Sequence, residues 1–369
     1  LSFASRPTLA RIDLGAVASN YRTLGRLAGS RVLATVKADA YGHGAVTVAR
    51  ALEEAGADFF CVAIAEEAVA LREAGLRSPI LILNYSEARD VFLHRALGLT
   101  PTLHSIAQAR EFSAATRTFR PPLAVHLKVD TGLTRIGIQI REVGGMAGIL
   151  RESPGLAVEA VYSHYANAVG PSTEEAKRQE DLFREVLSAL RQAGVAFDFT
   201  HLASSGALLV SAGRWCDAVR PGLTLFGVPP AADSPRVGLV PVLRWETRVM
   251  AVRDVGAGVA VGYGGKFVTA RRSRLAVLPV GYHDGYRRAF SGRVPVLLPG
   301  GAAPTVGAIS MDLTVCDVTD IGAREGDAAV LLGTTEKGSV TAFDMARAAD
   351  TNPYEIFCGI GSRVPRVPA

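Results

Sequence analysis

From the N-terminus to about residue 225, short apolar runs rich in β-branched residues alternate with longer stretches of helical period. The runs at 32–37, 59–64, 80–83, 99–103, 123–129, 156–163, 199–203 and 218–220 read as strands. Helical stretches lie between them at 44–55, 66–74, 86–97, 105–116 and 173–193, several opening on a capping Ser or Thr. Strands apolar at nearly every position and separated by helices belong in a parallel sheet covered on both faces. Eight of them at this spacing fit a closed barrel of ~250 residues. An open doubly wound sheet would carry a G-x-G-x-x-G turn after its first strand, and none is present.

After about Ala232 the pattern changes. Short strands are expected at 242–255, 259–264, 274–279, 294–298, 303–309, 314–317 and 328–332, separated by Gly, Pro and Asp, with one helical period at 343–349. That is the texture of a mainly antiparallel β domain. The segment 229–235, with Ala-Ala-Asp-Ser between prolines, reads as the linker. The expected fold is therefore α/β: a (β/α)8 TIM-type barrel over 1–231, followed by a C-terminal β domain over 232–369.

Composition narrows the function classes. Of 369 residues 49% are hydrophobic and 20% charged, which excludes a disordered chain. Forty basic against thirty-five acidic side chains leave a net charge of +5, and the longest basic cluster is only Arg271, Arg272 and Arg274. No basic stripe suited to nucleic acid results. No apolar run reaches the ~18 residues of a membrane helix. Cys61, Cys216, Cys316 and Cys358 are far apart with no C-x-x-C pair, so buried free thiols in a reducing cytoplasm are expected. No His, Cys and carboxylate spacing matches a zinc motif, and G-x-S-x-G is absent, so neither a metal site nor a hydrolase elbow is expected.

Barrel chemistry collects at the C-terminal ends of strands. Those ends carry Lys37, Lys128 and Asp130 with Arg135 beyond, His164, His201 before Ser204-Ser205-Gly206, and Arg220 before Pro221-Gly222-Leu223. A lysine desolvated at a strand end can act as a Schiff-base nucleophile, or can simply extend its head to water. The Ser205 and Gly222 turns, on the last two strands, suit a phosphate. Lys128 and Asp130 could be a local ion pair, and the two histidines could be hydrogen-bonded barrel residues. In the β domain, Tyr263 and Tyr282 each lie among glycines, either filling a tight turn or acting as an acid or base.

Together these residues carry a family resemblance. Pro7–Leu14, Val36-Lys37-Ala38-Asp39-Ala40-Tyr41-Gly42-His43-Gly44, His126–Gly132 with Arg135, the Tyr263 and Tyr282 motifs, Ser310-Met311-Asp312 and Arg363–Arg366 resemble the bacterial alanine racemases of the fold-type III pyridoxal-phosphate class, nearly end to end. The resemblance implies pyridoxal 5'-phosphate as cofactor, L- and D-alanine as substrates, D-alanine supply to peptidoglycan, and a cytoplasmic homodimer with shared active sites. Lys37 would hold the cofactor and act as one base; Tyr263 of the partner would be the second. Tyr41, Ser205, the backbone at Gly222 and Leu223, and Tyr354 would bind the phosphate. Arg220 would face the pyridine nitrogen with His164 behind it. Arg135 would contact the phenolic oxygen and the substrate carboxylate, and Lys128 matches a position often carbamylated. Met311, through its backbone, and Asp312, both also from the partner, would adjoin the substrate carboxylate, and Tyr282 and Tyr354 would narrow the entrance.

The sequence departs from the family at Ser204, where Asn is common, at Lys266 after the Tyr263 turn, and at Leu133-Thr134. A racemase of broader small-residue scope is the enzymatic alternative. A fold-related decarboxylase would carry a carboxylate where Arg220 stands. A pyridoxal-phosphate homeostasis protein would resemble the barrel alone.

Overall fold

Leu33 interrupts the first barrel strand, and its two pieces, Arg31–Val32 and Ala34–Thr35, join the two ends of a parallel sheet. The computed structural model describes residues 6–167 and 173–369. From Arg31–Val32 the hydrogen-bonded order runs through Ala218–Arg220, Phe199–Ser204, Leu156–Tyr162, Leu123–Lys128, Leu99–Leu103, Ile80–Ile82 and Phe60–Val62 to Ala34–Thr35. All pairs are parallel. The amides of Arg31, Leu33 and Thr35 donate to Asp217, Val219 and Pro221, while those of Ala34 and Val36 donate to Phe59 and Cys61. The ring is thus an eight-stranded barrel with its first strand in two pieces. Leu33, Phe59, Cys61, Leu81 and Ala218 are fully buried in one cluster inside it.

Two compact units emerge, one of residues 15–40 and 45–240, the other of the N-terminal segment up to Leu14 together with Tyr41–Gly44 and Pro241–Ala369. In the second unit, Leu9–Ile12 pairs antiparallel with Leu243–Arg248 and parallel with Arg366–Pro368. The sheet continues through Ala328–Thr335, Val296–Leu298 and Gly301–Ala303. A second sheet of Ala251–Val255, Ser273–Leu278 and Thr314–Asp317 is antiparallel, as is the hairpin Ala260–Val261 with Phe267–Val268. Helices Ala342–Ala348 and Pro353–Cys358 are capped by the side chains of Thr341 and Asn352.

Several elements differ from the sequence expectation. Strand 32–37 ends at Thr35, and Lys37 opens a helical turn instead. Helices Leu14–Ala28 and Val143–Arg151 and strand Leu9–Ile12 were not among the expected elements. The expected strand 303–309 shrinks to Gly301–Ala303, because Pro304 follows and Gly307 takes a φ of 68°. Cys61, Cys216 and Cys316 are buried free thiols, but Cys358 is exposed. It ends a short helix that buries Pro353, Ile356 and Phe357 on its other side. Among the described residues no helix is long and apolar enough to cross a membrane, and no group of three His, Cys, Asp or Glu could hold a metal ion.

Candidate active site

Lys37 stands where the first barrel strand gives way to the turn Lys37–Gly42. Ala38, Asp39, Ala40 and Tyr41 all have φ between 52° and 55°, a left-handed turn built without glycine. Such a backbone costs roughly 1–2 kcal/mol per residue, so neighbours must hold it. Within the barrel unit, Glu67 accepts from the Ala38 amide at 2.7 Å and from the Ala63 amide at 2.7 Å. The Asp39 carboxylate accepts from the Ala45 amide at 2.7 Å.

The neighbouring strand ends bring cations together. Lys128 is buried, with its ammonium 5.2 Å from the centre of the Tyr162 ring. Burial, followed by the charges of Arg220, Arg135 and Lys37, brings its pKa down to about 7, against the opposing pull of Asp130. Asp130 also holds the next loop, its Oδ1 accepting from the amides of Gly132 and Thr134 at 3.0 Å each. That loop carries the exposed Arg135. Ser205 and Gly222 meet: the Gly222 amide donates to Ser205 Oγ at 2.9 Å, and the Thr224 hydroxyl donates to it at 3.0 Å.

Arg220 is buried among histidines and carbonyls. It donates to the carbonyls of Ser163 at 2.7 Å and Leu202 at 3.2 Å, to His164 Nδ1 at 3.2 Å, and to His201 Nδ1. A guanidinium only donates, so each of these Nδ1 atoms accepts and each ring is neutral. Burial first, then Arg220, keeps both imidazoles well below the usual histidine range. None of the hydrogen bonds described for Arg220 ends on a carboxylate. Lys37, Lys128, Arg135 and Arg220 therefore form a cationic strand-end site suited to an anion.

Within the second unit, Tyr41 and Tyr354 have ring centres 5.9 Å apart. Gly42 permits this approach: a Cβ there would lie 2.3 Å from the Phe357 carbonyl oxygen, and its φ is 77°. Gly281 plays the same part for another loop, since its Cβ would lie 2.4 Å from Met311 and Ser310 carbonyl oxygens. The amides of Tyr282 and His283 donate to those carbonyls of Ser310 and Met311 at 3.0 and 3.1 Å, joining Tyr282, Met311 and Asp312 in one patch. Arg363 bridges Asp312 at 2.5 Å and Asp284 at 2.7 Å, and Arg6 also reaches Asp284 at 2.7 Å. Burial raises the Asp284 pKa, but these arginines and the Gly281 amide outweigh it and hold the carboxyl low. Tyr263 is 75% exposed, in a turn flanked by Gly262 and Gly264 at φ of 71° and 73°. Beside it runs an apolar groove lined by Met250, Val259, Val277 and Leu313.

Sequence reasoning missed Glu67, which lies in the first turn of a helix and looks like an ordinary dipole-matching carboxylate there. It also missed the clamp of Arg6 and Arg363 on Asp284.

A parallel barrel with a lysine and a cationic, Ser- and Gly-lined site at its strand ends, in one chain with an antiparallel β unit, defines a two-part barrel enzyme. Residues 12–230 match the family model of the alanine racemase N-terminal domain, and residues 242–368 that of the alanine racemase C-terminal domain. The alanine racemase of Symbiobacterium thermophilum is 41% identical over 364 residues, covering 98% of this chain and 97% of that one. The crystal structure of alanine racemase from D-cycloserine producing Streptomyces lavendulae is 37% identical with a TM-score of 0.93, covering 100% of this chain and 98% of that one. That of Bacillus anthracis alanine racemase with bound L-Ala-P is 31% identical with a TM-score of 0.92, covering 98% and 95%. The chain belongs to the alanine racemase family and is a racemase.

Proposed function

We propose that the enzyme interconverts L- and D-alanine with pyridoxal 5'-phosphate, using Lys37 and Tyr263 as two bases. The observation that supports this most is the cluster of Lys37, Lys128, Arg135 and Arg220 beside the Ser205–Gly222 cradle. These basic side chains call for an anionic ligand, and a phosphorylated cofactor plus a substrate carboxylate answers that need. The relative from Bacillus anthracis was solved with bound L-Ala-P.

In this reading Lys37 would hold the cofactor, and Ser205, Tyr41, Tyr354 and the backbone at Gly222 and Leu223 would take its phosphate. When bound, the cofactor's conjugated ring takes up the electron pair left at the substrate Cα. Arg220 would face the ring nitrogen; burial lowers its pKa, yet a guanidinium gives up a proton only with difficulty, so the residue would donate a hydrogen bond there and not a proton. His164 stands behind Arg220 as a neutral hydrogen-bond acceptor. Racemisation needs a proton removed on one face of Cα and one returned on the other. The Lys37 amine serves one face and the Tyr263 hydroxyl of a second subunit the other.

Arg135 orients the substrate carboxylate, with Met311 and Asp312 of a second subunit near that carboxylate, and Tyr282 and Tyr354 narrow the entrance. Lys128, with a pKa of about 7, holds a substantial share of free amine at neutral pH; that amine can add CO2, opening one C=O π bond and releasing an N–H proton to water, to become a carbamate anion that steadies Arg135. Exposed Tyr263, the apolar groove beside it and exposed Met311 suit burial against a second copy. The physiological role is to supply D-alanine for peptidoglycan in the cytoplasm.

A chiral product assay over a panel of L-amino acids, with pyridoxal 5'-phosphate present, tests the reading. It should return racemised alanine well ahead of larger side chains. Lys37→Ala should lose both activity and the visible absorption of the lysine-bound cofactor. Retained reducible attachment in that variant would overturn the lysine assignment.

A further inference from the structure

The hydrogen bonding of Arg220 does not stop at His201. His201 Nε2 lies 2.9 Å from His126 Nδ1, and His126 Nε2 lies 3.0 Å from Glu159 Oε2. The chain Arg220–His201–His126–Glu159 has one direction. Arg220 can only donate, so His201 Nδ1 accepts and its Nε2 carries the proton. That proton goes to His126 Nδ1, which leaves the His126 proton on Nε2, pointing at a carboxylate that can only accept. Both ends demand the same pair of tautomers.

The surroundings keep the chain dry until its last member. Both imidazoles are fully buried. The Tyr162 ring stacks on His201 at 4.6 Å and 11°, and Phe199 and Phe59 lie 5.3 and 5.7 Å from His126. Burial lowers the pKa of both histidines, in His126 against the pull of Glu159, which agrees with two neutral rings. The Glu159 side chain is 27% exposed and opens on a cleft of the barrel unit with Arg151 and Asp198 in its wall.

We propose that Glu159 is a positioning residue for Arg220: through His126 and His201 it fixes the tautomer that the guanidinium requires, from the solvent-facing end of a relay through the barrel interior. Loss of the acceptor at Glu159 frees the His126 ring to place its proton on Nδ1. His201 then has a donor facing its own donor, and the relay no longer holds Arg220 in one geometry. The consequence for catalysis rests on the function proposed above; the relay itself does not.

The test is nitrogen-15 NMR of labelled histidine in the full-length protein, with and without pyridoxal 5'-phosphate, joined to kinetics. In the wild type, His126 and His201 should both show the neutral Nε2–H pattern between pH 6 and 8. Glu159→Gln keeps an acceptor oxygen and should retain that pattern, with kcat within about twofold. Glu159→Leu should lose the fixed pattern at both rings and lower kcat about tenfold, with KM changed less than about twofold. An Nδ1–H or doubly protonated ring in the wild type would overturn the proposal. So would a Glu159→Leu variant whose His201 signals and kcat match the wild type. Absence of racemisation in every variant, with the predicted tautomers present, would count against the proposed function and support the relay.

Discussion

Ala38 donates its backbone amide to the carboxylate of Glu67 at 2.7 Å, one residue beyond Lys37. The same carboxylate takes the Ala63 amide from the end of the next strand, so two strand ends are tied through one side chain. Glu67→Ala leaves both amides without this acceptor, at roughly 1–3 kcal/mol each. Thermal unfolding should fall by several degrees, and cofactor affinity should fall more than in Glu67→Gln, which keeps one acceptor oxygen. Equal affinity in the two variants would detach Glu67 from the placement of Lys37.

Tyr263 provides a test of both the second base and the second subunit. Tyr263→Phe should retain cofactor absorption while exchange of the L-alanine Cα proton with solvent slows by at least about a hundredfold. Mixing Tyr263→Phe with Lys37→Ala should restore part of the activity if the proposed shared-site dimer forms, because a mixed dimer would then hold one site with both wild-type groups. Failure of the mixture to regain activity after verified subunit exchange would argue for sites completed within one chain.

The histidines set an acid limit on stability. His94, His104, His126, His164 and His201 all have pKa values lowered, mainly by burial. Unfolded, each would take up a proton near pH 6.5. Above that pH both states are neutral and nothing is lost. Below it the unfolded state binds protons that the folded state refuses, so stability falls as pH drops, by at most ~1.4 kcal/mol per pH unit for each histidine. Urea unfolding at pH 7.5, 6.0 and 5.0 should show a steep decline, and His94→Leu should make it shallower. A flat profile across this range would refute the neutral assignments.

Gly42 can be probed without touching a charged group. Gly42→Ala places a methyl 2.3 Å from the Phe357 carbonyl oxygen and demands a φ of 77° from an L-residue. Destabilisation of about 2–4 kcal/mol is expected, with the separation of Tyr41 and Tyr354 altered. Gly29→Ala also has a positive φ but meets nothing within 4 Å, so it isolates the backbone strain from the steric clash.

Most barrel strands were legible because buried parallel strands announce themselves as apolar runs. The expected 99–103 and 218–220 reappear as Leu99–Leu103 and Ala218–Arg220. Leu9–Ile12 was harder to read, because the partners that pair with it on either side lie more than 230 residues away and the run is only four residues long, with Arg11 exposed. The left-handed turn after Lys37 carries no signal in Ala-Asp-Ala-Tyr, whose conformation depends on the Glu67 carboxylate brought in from elsewhere. Lys37, Arg220 and Ser205 were visible as strand-end residues. The His126–Glu159 contact was not, since only the pairing of neighbouring strands brings positions 33 residues apart into contact.

The divided first strand has one more effect. Successive amides from Arg31 to Val36 face opposite neighbours: odd positions bind the last strand, and even positions from Ala34 bind the second. A shift by a single residue would exchange the two sides and turn every side chain of the strand to the opposite face of the sheet. Lys37 therefore inherits its location from two independent zippers at once. Insertion or deletion of one residue between Arg31 and Lys37 is the change this chain should tolerate least, whereas similar edits in the loops between barrel helices can be absorbed.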